Sequence, residues 1–167
     1  MRWCDGEGER LAFRPIATVR CAYTDTSQIP KGPGAEHTAE GVIDVAAELA
    51  DALVDIDGFS HLFVIWAFDR VTETVLTVTP PNDTRPHGVL ATRAPVRPNP
   101  IGLTVVSLVR REGTRLHVRG VDMLDGTPVL DLKPYQSSVP ADQLRRGWVA
   151  EAEARRDHMP CSSAVGP

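Results

Sequence analysis

Short apolar segments alternate with turn-rich segments along most of the chain, and helical periodicity is scarce. Strands are predicted to begin within Phe13–Tyr23 and to lie at Gly41–Val45, His61–Phe68, Thr74–Thr79, Gly88–Thr92, Ile101–Arg110, Arg115–Asp122 and Val129–Lys133. Short strands at regular spacing with little helix favour an antiparallel β-barrel or sandwich. We therefore predict a mainly all-β fold with a few short helices.

Two segments have helical composition. Ala46–Leu53 predicts one short helix, and Asp142–Arg156 predicts another near the end of the chain, although Gly147 weakens it. No glycine-rich loop joins a predicted strand to a helix, which argues against a Rossmann-type nucleotide site.

The length of 167 residues suits one domain. We expect it to cover residues 13–156, with flexible segments at 1–12 and 157–167. The sequence has no apolar run of transmembrane length, and its first residues lack the apolar core of a signal peptide. A cytoplasmic location without a membrane partner is therefore expected.

Charge and cysteine content narrow the possible chemistry. The net charge of −4 does not require a nucleic-acid partner, although a local basic patch remains compatible with it. The three cysteines, Cys4, Cys21 and Cys161, form no CxxC pair and have no histidine cluster beside them. We predict neither a metal site nor a thiol nucleophile.

Two segments carry polar side chains in constrained settings. Three prolines stiffen Arg93–Pro100 (RAPVRPNP), so that its polar side chains are either held at defined positions or simply solvated on a rigid connector. In Leu124–Tyr135 (LDGTPVLDLKPY), Asp131 and Lys133 are two residues apart and share one face of a strand. They form either a surface ion pair or part of a pocket, to which Tyr135 adds a hydroxyl.

The segment Phe59–Phe68 (FSHLFVIWAF) is mostly apolar, and Trp66 and Phe68 are predicted to lie in the core. His61 is interpreted first as a structural residue, with a position at a pocket rim as the alternative.

The motifs ATRAPVRPNPIGL (Ala91–Leu103) and GVDMLDGTPVLDLKPY (Gly120–Tyr135) resemble the signature of the TsaA-like family. This family includes tRNA methyltransferases that act on N6-threonylcarbamoyladenosine in the anticodon loop. The upstream blocks Asp57–Phe68 and Lys31–Gly34 are similar in type and order. The sequence looks like the short members of the family, which lack an additional C-terminal domain.

The resemblance implies an antiparallel barrel that binds S-adenosylmethionine without a Rossmann fold, and a homodimer with the active site near the subunit interface. It also implies a set of cofactor contacts. These map by motif onto Pro33, Gly34, Ala35, Arg70, Val71, Arg93, Leu103, Gly120, Val121 and Asp122.

Methyl transfer from a sulfonium is an in-line displacement, so positioning is the main task and no metal is needed. An amide-like nitrogen must lose its proton to become a good nucleophile, which calls for a base or a strong polariser. We expect Asp131, Lys133 and Tyr135 on the substrate side, with Asp131 as proton acceptor. Arg97 and Asn99 are expected to shape the substrate pocket.

Three functions are compatible with the sequence. The first is methylation of N6-threonylcarbamoyladenosine in tRNA. The second is methylation of a small molecule or peptide on the same barrel, which the acidic charge favours. The third is a non-catalytic S-adenosylmethionine-binding module.

Overall fold

The computed structural model describes residues 11–30, 36–136 and 147–157, and within them the protein is mainly β-structure. The strands are β1 (Ala17–Cys21), β2 (Glu40–Val45), β3 (His61–Ala67), β4 (Thr77–Val78), β5 (His87–Gly88), β6 (Ile101–Glu112), β7 (Arg115–Arg119) and β8 (Pro128–Pro134). One α-helix, α1, covers Trp148–Asp157. Short 3-10 helices lie at Thr26–Gln28, Ala47–Leu53, Ile56–Gly58 and Val89–Ala91.

Six strands close into an antiparallel barrel in the order β1–β2–β7–β6–β3–β8, while β4 and β5 form a separate two-stranded sheet. Strands β6 and β7 are the hairpin predicted on either side of the REGT turn. The structure therefore confirms the predicted all-β antiparallel barrel with few helices.

The barrel interior is filled by alternate residues of its strands, as the period of two requires. In β3, for example, Leu62, Val64 and Trp66 are buried, whereas the residues between them face outward. They pack with apolar side chains from the other strands, including Val19, Ile43, Leu116, Val118 and Val129. Each such fully buried aliphatic side chain contributes roughly 1.5–3 kcal/mol to folding.

A β-bulge interrupts the pairing of β3 with β8. Ile65 pairs with Asp131 and Trp66 pairs with Val129, so Leu130 is the extra residue. Val129 is fully buried and Leu132 packs against the core, which leaves Asp131 on the outer surface. The bulge therefore changes which face of the sheet the residues after it occupy.

Two strand predictions need correction. Gly88–Thr92 is a strand only at its first residue, because Val89–Ala91 forms a 3-10 turn instead. Both the N–H and the hydroxyl of Thr92 donate to the carbonyl of Val89, at 3.1 and 2.8 Å, and these local bonds replace strand pairing. The strand predicted at Thr74–Thr79 is limited to Thr77–Val78, because β5 offers only two residues to pair with.

The helix predictions are partly confirmed. Ala46–Leu53 is helical over Ala47–Leu53, but as 3-10 turns with a kink at Leu49. Helix α1 follows Gly147, whose φ of 53° favours glycine. The predicted helical residues 142–146 lie outside the described part of the chain, as do all but residues 11, 12 and 157 of the segments 1–12 and 157–167 predicted to be flexible.

Helix α1 is held against the loop before β5 by charged side chains. Arg155 donates to Asp83 at 2.9 Å, and Arg85 donates to Glu151 at 3.1 Å. Neither α1 nor any other helix in the described residues has both the length and the apolarity needed to span a membrane.

Candidate functional site

A cleft of about 500 Å³ opens at the end of the barrel where β3 leaves it and β6 enters. The chain between these strands supplies one wall, and the segment after β7 supplies another. Its lining residues are Trp66, Phe68, Thr92, Arg93, Pro95, Arg97, Ile101, Gly102, Leu103 and Asp122. The cleft thus draws on both long motifs recognised in the sequence.

The cleft floor depends on a close approach between Trp66 and Gly102, which are paired across β3 and β6. A Cβ atom at position 102 would lie 2.2 Å from Cε2 of the Trp66 indole, far inside contact distance. Only glycine leaves room for the ring. The Trp66 and Phe68 rings lie beside each other with centroids 4.2 Å apart.

A chain of hydrogen bonds runs from the Trp66 ring at the cleft floor to Asp122 in the cleft wall. The indole N–H of Trp66 donates to Oγ1 of Thr104 at 3.0 Å, and Thr104 Oγ1 donates to Oδ1 of Asp122 at 2.5 Å. Thr104 is only 5% exposed, so its bond to Trp66 is buried, whereas its bond to Asp122 is partly buried.

The two arginines of the proline-rich loop are tied to backbone carbonyls, although Arg93 itself remains exposed. Arg93 donates to the carbonyl oxygen of Leu103 on β6. Arg97 donates to the carbonyl oxygens of Thr92 and Ala94, at 3.1 and 3.5 Å. Both arginines line the cleft, which supports the functional interpretation of this loop.

Four of the residues predicted from the sequence therefore meet in one place: Arg93, Arg97, Leu103 and Asp122. Other predicted cofactor residues do not line the cleft. Val121 is fully buried in the core, and Gly120 adopts a φ of 99° while its N–H bonds to Ala39. Gly120 has no side chain and that of Val121 is buried in the core, so neither contributes a side chain to the cleft.

Arg70, Val71 and Asn99 do not line the cleft either. Arg70 donates to the carbonyl oxygen of Asp125 at 2.7 Å, and the N–H of its neighbour Val71 bonds to Phe68. Asn99 is exposed on the loop before β6. Pro33, Gly34 and Ala35 fall outside the described residues.

The proposed substrate-side residues form a second group on the outer surface of β8. The carboxylate of Asp131 is 2.7 Å from Nζ of Lys133, and its other oxygen accepts the N–H of Leu132 at 2.9 Å. The Tyr135 ring lies 5.0 Å from that of Phe63 on β3. Asp131 and Leu103 both pair with Ile65, so two strand spacings, roughly 10 Å, separate this group from the cleft wall.

Between the two groups lies an apolar surface on the outside of the barrel, which we call the outer apolar face. It consists of Phe63, Ile65, Ile101, Leu103, Val105 and Tyr135, contributed by β3, β6 and the end of β8. Ile101 and Leu103 also line the cleft, so the cleft and the outer apolar face are continuous. Contiguous exposed apolar surfaces are typical of interaction sites.

Sequence reasoning missed Thr104 and Gly102 and placed Trp66 in the core alone. Trp66 is buried as predicted, but it also forms the cleft floor. A glycine inside a predicted strand was the available signal for close approach. His61 bonds through its ring nitrogens to Ser60 and Ser107, at 2.9 and 3.0 Å, which agrees with the structural interpretation of this residue.

Comparison with known proteins places these features in a family. The family model described as the tRNA-methyltransferase O N-terminal domain matches residues 18–141. A probable S-adenosyl-L-methionine-binding protein of Pyrococcus abyssi is 41% identical over 83% of this chain and 76% of its own length. The tRNA (adenine(37)-N6)-methyltransferase of Escherichia coli is 32% identical over 84% of this chain and 70% of its own.

A longer relative and a solved structure agree. A probable S-adenosyl-L-methionine-binding protein of Archaeoglobus fulgidus is 44% identical over 85% of this chain, which spans only 39% of that protein. The crystal structure of TrmO from Pseudomonas aeruginosa superposes with a TM-score of 0.68 at 32% identity, over 83% of this chain and 62% of that one. These matches confirm the relationship expected from the two long motifs, and the chain belongs to the tRNA-methyltransferase O N-terminal domain family.

Proposed function

We propose that the protein is an S-adenosylmethionine-dependent methyltransferase whose cofactor binds in the cleft. The observation that carries this proposal is that Arg93, Leu103 and Asp122, which are separated in sequence, line one cleft. The family relationship and the names of the relatives support the same cofactor and reaction.

The chemistry of the lining residues fits this cofactor. Trp66 and Phe68 offer apolar ring surface for an adenine base, and the Asp122 carboxylate can accept from a ribose hydroxyl or an α-ammonium group. Arg93 and Arg97 provide donors for a carboxylate. When bound, the sulfonium supplies an activated methyl group, and the residues of this chain hold and orient it.

The acceptor we propose is the N6 nitrogen of N6-threonylcarbamoyladenosine in a tRNA anticodon loop, as the name of the Escherichia coli relative suggests. Asp131 takes the proton that this nitrogen loses as its bond to the methyl carbon forms and the carbon–sulfur bond breaks. Lys133 orients the carboxylate through their 2.7 Å ion pair. Tyr135 and Asn99 border the acceptor, and a tRNA substrate places the reaction in the cytoplasm.

The active unit we propose is a homodimer that associates through the outer apolar face. Since this face is continuous with the cleft, a second subunit placed on it closes the cleft from the side of Leu103. The same arrangement places Asp131, Lys133 and Tyr135 of one subunit near the interface.

The test is single-turnover transfer of labelled methyl from S-adenosylmethionine to total tRNA. We expect label in tRNA with the wild-type protein. With Asp131→Asn the rate of transfer should fall by a factor of roughly 100 or more, because general bases contribute about 10²–10⁴-fold. Asp44→Asn is the matched control and should retain the wild-type rate, because Asp44 is also a partly exposed strand carboxylate in an ion pair, in its case with Arg115. A wild-type rate in Asp131→Asn removes it as proton acceptor.

The names of the archaeal relatives favour a second candidate, a protein that binds S-adenosylmethionine without transferring its methyl group. Binding of the cofactor with no label in tRNA or in a metabolite extract would select this candidate. Label only in the extract would instead identify a small-molecule acceptor.

A further inference from the structure

We propose that Thr104 and Trp66 are positioning residues for Asp122, and that their hydrogen-bond chain aims the second carboxylate oxygen of Asp122 at the bound cofactor. This inference rests on the proposed function, because it concerns how the cleft recognises S-adenosylmethionine. Its starting point is the chain of bonds from Trp66 through Thr104 to Asp122.

The direction of this chain follows from the chemistry of its members. An indole N–H can only donate, so Oγ1 of Thr104 must be the acceptor in their 3.0 Å bond. A hydroxyl has a single proton, and the 2.5 Å contact with Oδ1 of Asp122 is where that proton goes. Each donor therefore has one partner, and the chain has only one possible polarity.

The chain is also rigid at its origin. The Trp66 indole lies over Gly102, where a Cβ would be 2.2–2.5 Å from three ring atoms. The indole is consequently fixed against the backbone of β6, the strand that carries Thr104 two residues later. A fixed donor on a buried hydroxyl gives Asp122 one preferred carboxylate orientation.

The two carboxylate oxygens of Asp122 consequently differ in their surroundings. Oδ1 accepts from Thr104, whereas the contacts of the described residues give Oδ2 no protein donor. Because Asp122 lines the cleft, Oδ2 is available to a hydrogen-bond donor of the cofactor, either a ribose hydroxyl or the α-ammonium group. Thr104 touches no substrate in this arrangement and acts only through Asp122, whereas Trp66 acts on Asp122 through its indole N–H and also lines the cleft with its ring.

The test is titration calorimetry with S-adenosylhomocysteine, a stable probe of the cofactor site. Thr104→Val removes the hydroxyl at constant shape, and we expect affinity to fall about tenfold, the scale of a hydrogen bond to a charged group. Thr104→Ser keeps the hydroxyl and should bind within about twofold of wild type. Trp66→Phe keeps a ring over Gly102 without the N–H and should show an intermediate loss.

Coupling to Asp122 separates positioning from a general structural effect. Asp122→Asn combined with Thr104→Val should bind no more weakly than Asp122→Asn alone, because Thr104 acts through the carboxylate. Thr127→Val, which removes the hydroxyl of another buried threonine that does not line the cleft, is the matched control and should leave affinity unchanged.

Titration with methylthioadenosine, which lacks the amino-acid moiety, identifies the group that Oδ2 meets. If Thr104→Val weakens both probes equally, Oδ2 faces the ribose; if only S-adenosylhomocysteine is affected, it faces the α-ammonium group. Wild-type affinity in folded Thr104→Val, or losses that add in the double variant, would overturn the positioning role. Absence of any binding by the wild-type protein would instead contradict the proposed function itself.

Discussion

At the scale of single residues, the cleft illustrates which parts of a site a sequence reveals. The paired motifs pointed to Arg93, Leu103 and Asp122, and the structure brings all three to one cleft. Thr104 could not be found in the same way, since a threonine in a β-branched strand is usual and only the three-dimensional position of Trp66 and Asp122 gives its hydroxyl a role. Hydrogen-bond distances between side chains on different strands depend on how the strands pack, which the sequence alone does not give.

Arg93 provides a second residue-scale test. Its guanidinium ties the proline-rich loop to the Leu103 carbonyl on β6, so its removal loses both a cleft cation and the link that holds the loop. We expect Arg93→Ala to weaken S-adenosylhomocysteine binding roughly 10- to 100-fold by calorimetry. Arg115→Ala, which removes an exposed arginine outside the cleft, should bind normally. Equal affinities in the two variants would exclude Arg93 from the site.

At the scale of elements, the strands with clear alternation were predicted well, whereas those that depend on a partner were not. His61–Phe68 and the β6–β7 hairpin carry their own pattern and appear almost as expected. Thr74–Thr79 has high β-propensity, but its neighbour offers only two residues for pairing. The bulge at Leu130 was equally invisible, because an apolar residue in an apolar strand gives no sign that the register shifts.

The docking of α1 is an element-scale feature that pH can test. The Asp83 side chain is only 2% exposed. Burial opposes its charged form, but hydrogen bonds from the Arg85 N–H, the His87 ring and the Thr84 N–H, with the nearby Arg155 charge, lower the pKa of Asp83 well below its usual range. A depressed carboxyl pKa stabilises the fold at every pH above the ordinary value of about 3.9, and this contribution is lost as pH falls below it.

Asp83→Asn should therefore lower Tm at neutral pH, and α1 should become more sensitive to trypsin. The difference in Tm between wild type and variant should stay constant down to about pH 5 and narrow below about pH 4. The measurement is a series of thermal melts across this range. A difference that persists unchanged to pH 3 would show that the charge of Asp83 does not hold the helix.

At the scale of the whole molecule, the closed barrel satisfies its own strand edges, so the association that we propose uses the outer apolar face instead of a strand edge. Val105 is 41% exposed on this face, where it is paired with Phe63. A charge there would be desolvated in a subunit interface but tolerated in a monomer.

Val105→Glu should therefore convert a dimer to a monomer in light scattering while changing Tm by only a few degrees. Leu76→Glu places the same charge on a side chain that is 66% exposed but lies outside the outer apolar face, and it should leave the molar mass unchanged. A dimer that survives Val105→Glu would place the subunit contact elsewhere.

The bulge lets β8 hold one residue more than regular pairing with β3 would allow. Between Val129 in the core and Asp131 outside it stands a single residue, where uninterrupted alternation would put both on the same side. If the same residues paired without the bulge, Leu132 would be exposed and the Asp131 carboxylate would be buried. Deleting Leu130 would avoid this conflict, because Val129 and Leu132 would stay inside and Asp131 outside in regular alternation. The bulge is therefore what keeps Asp131 on the outer surface of a strand that holds one residue more than regular pairing allows.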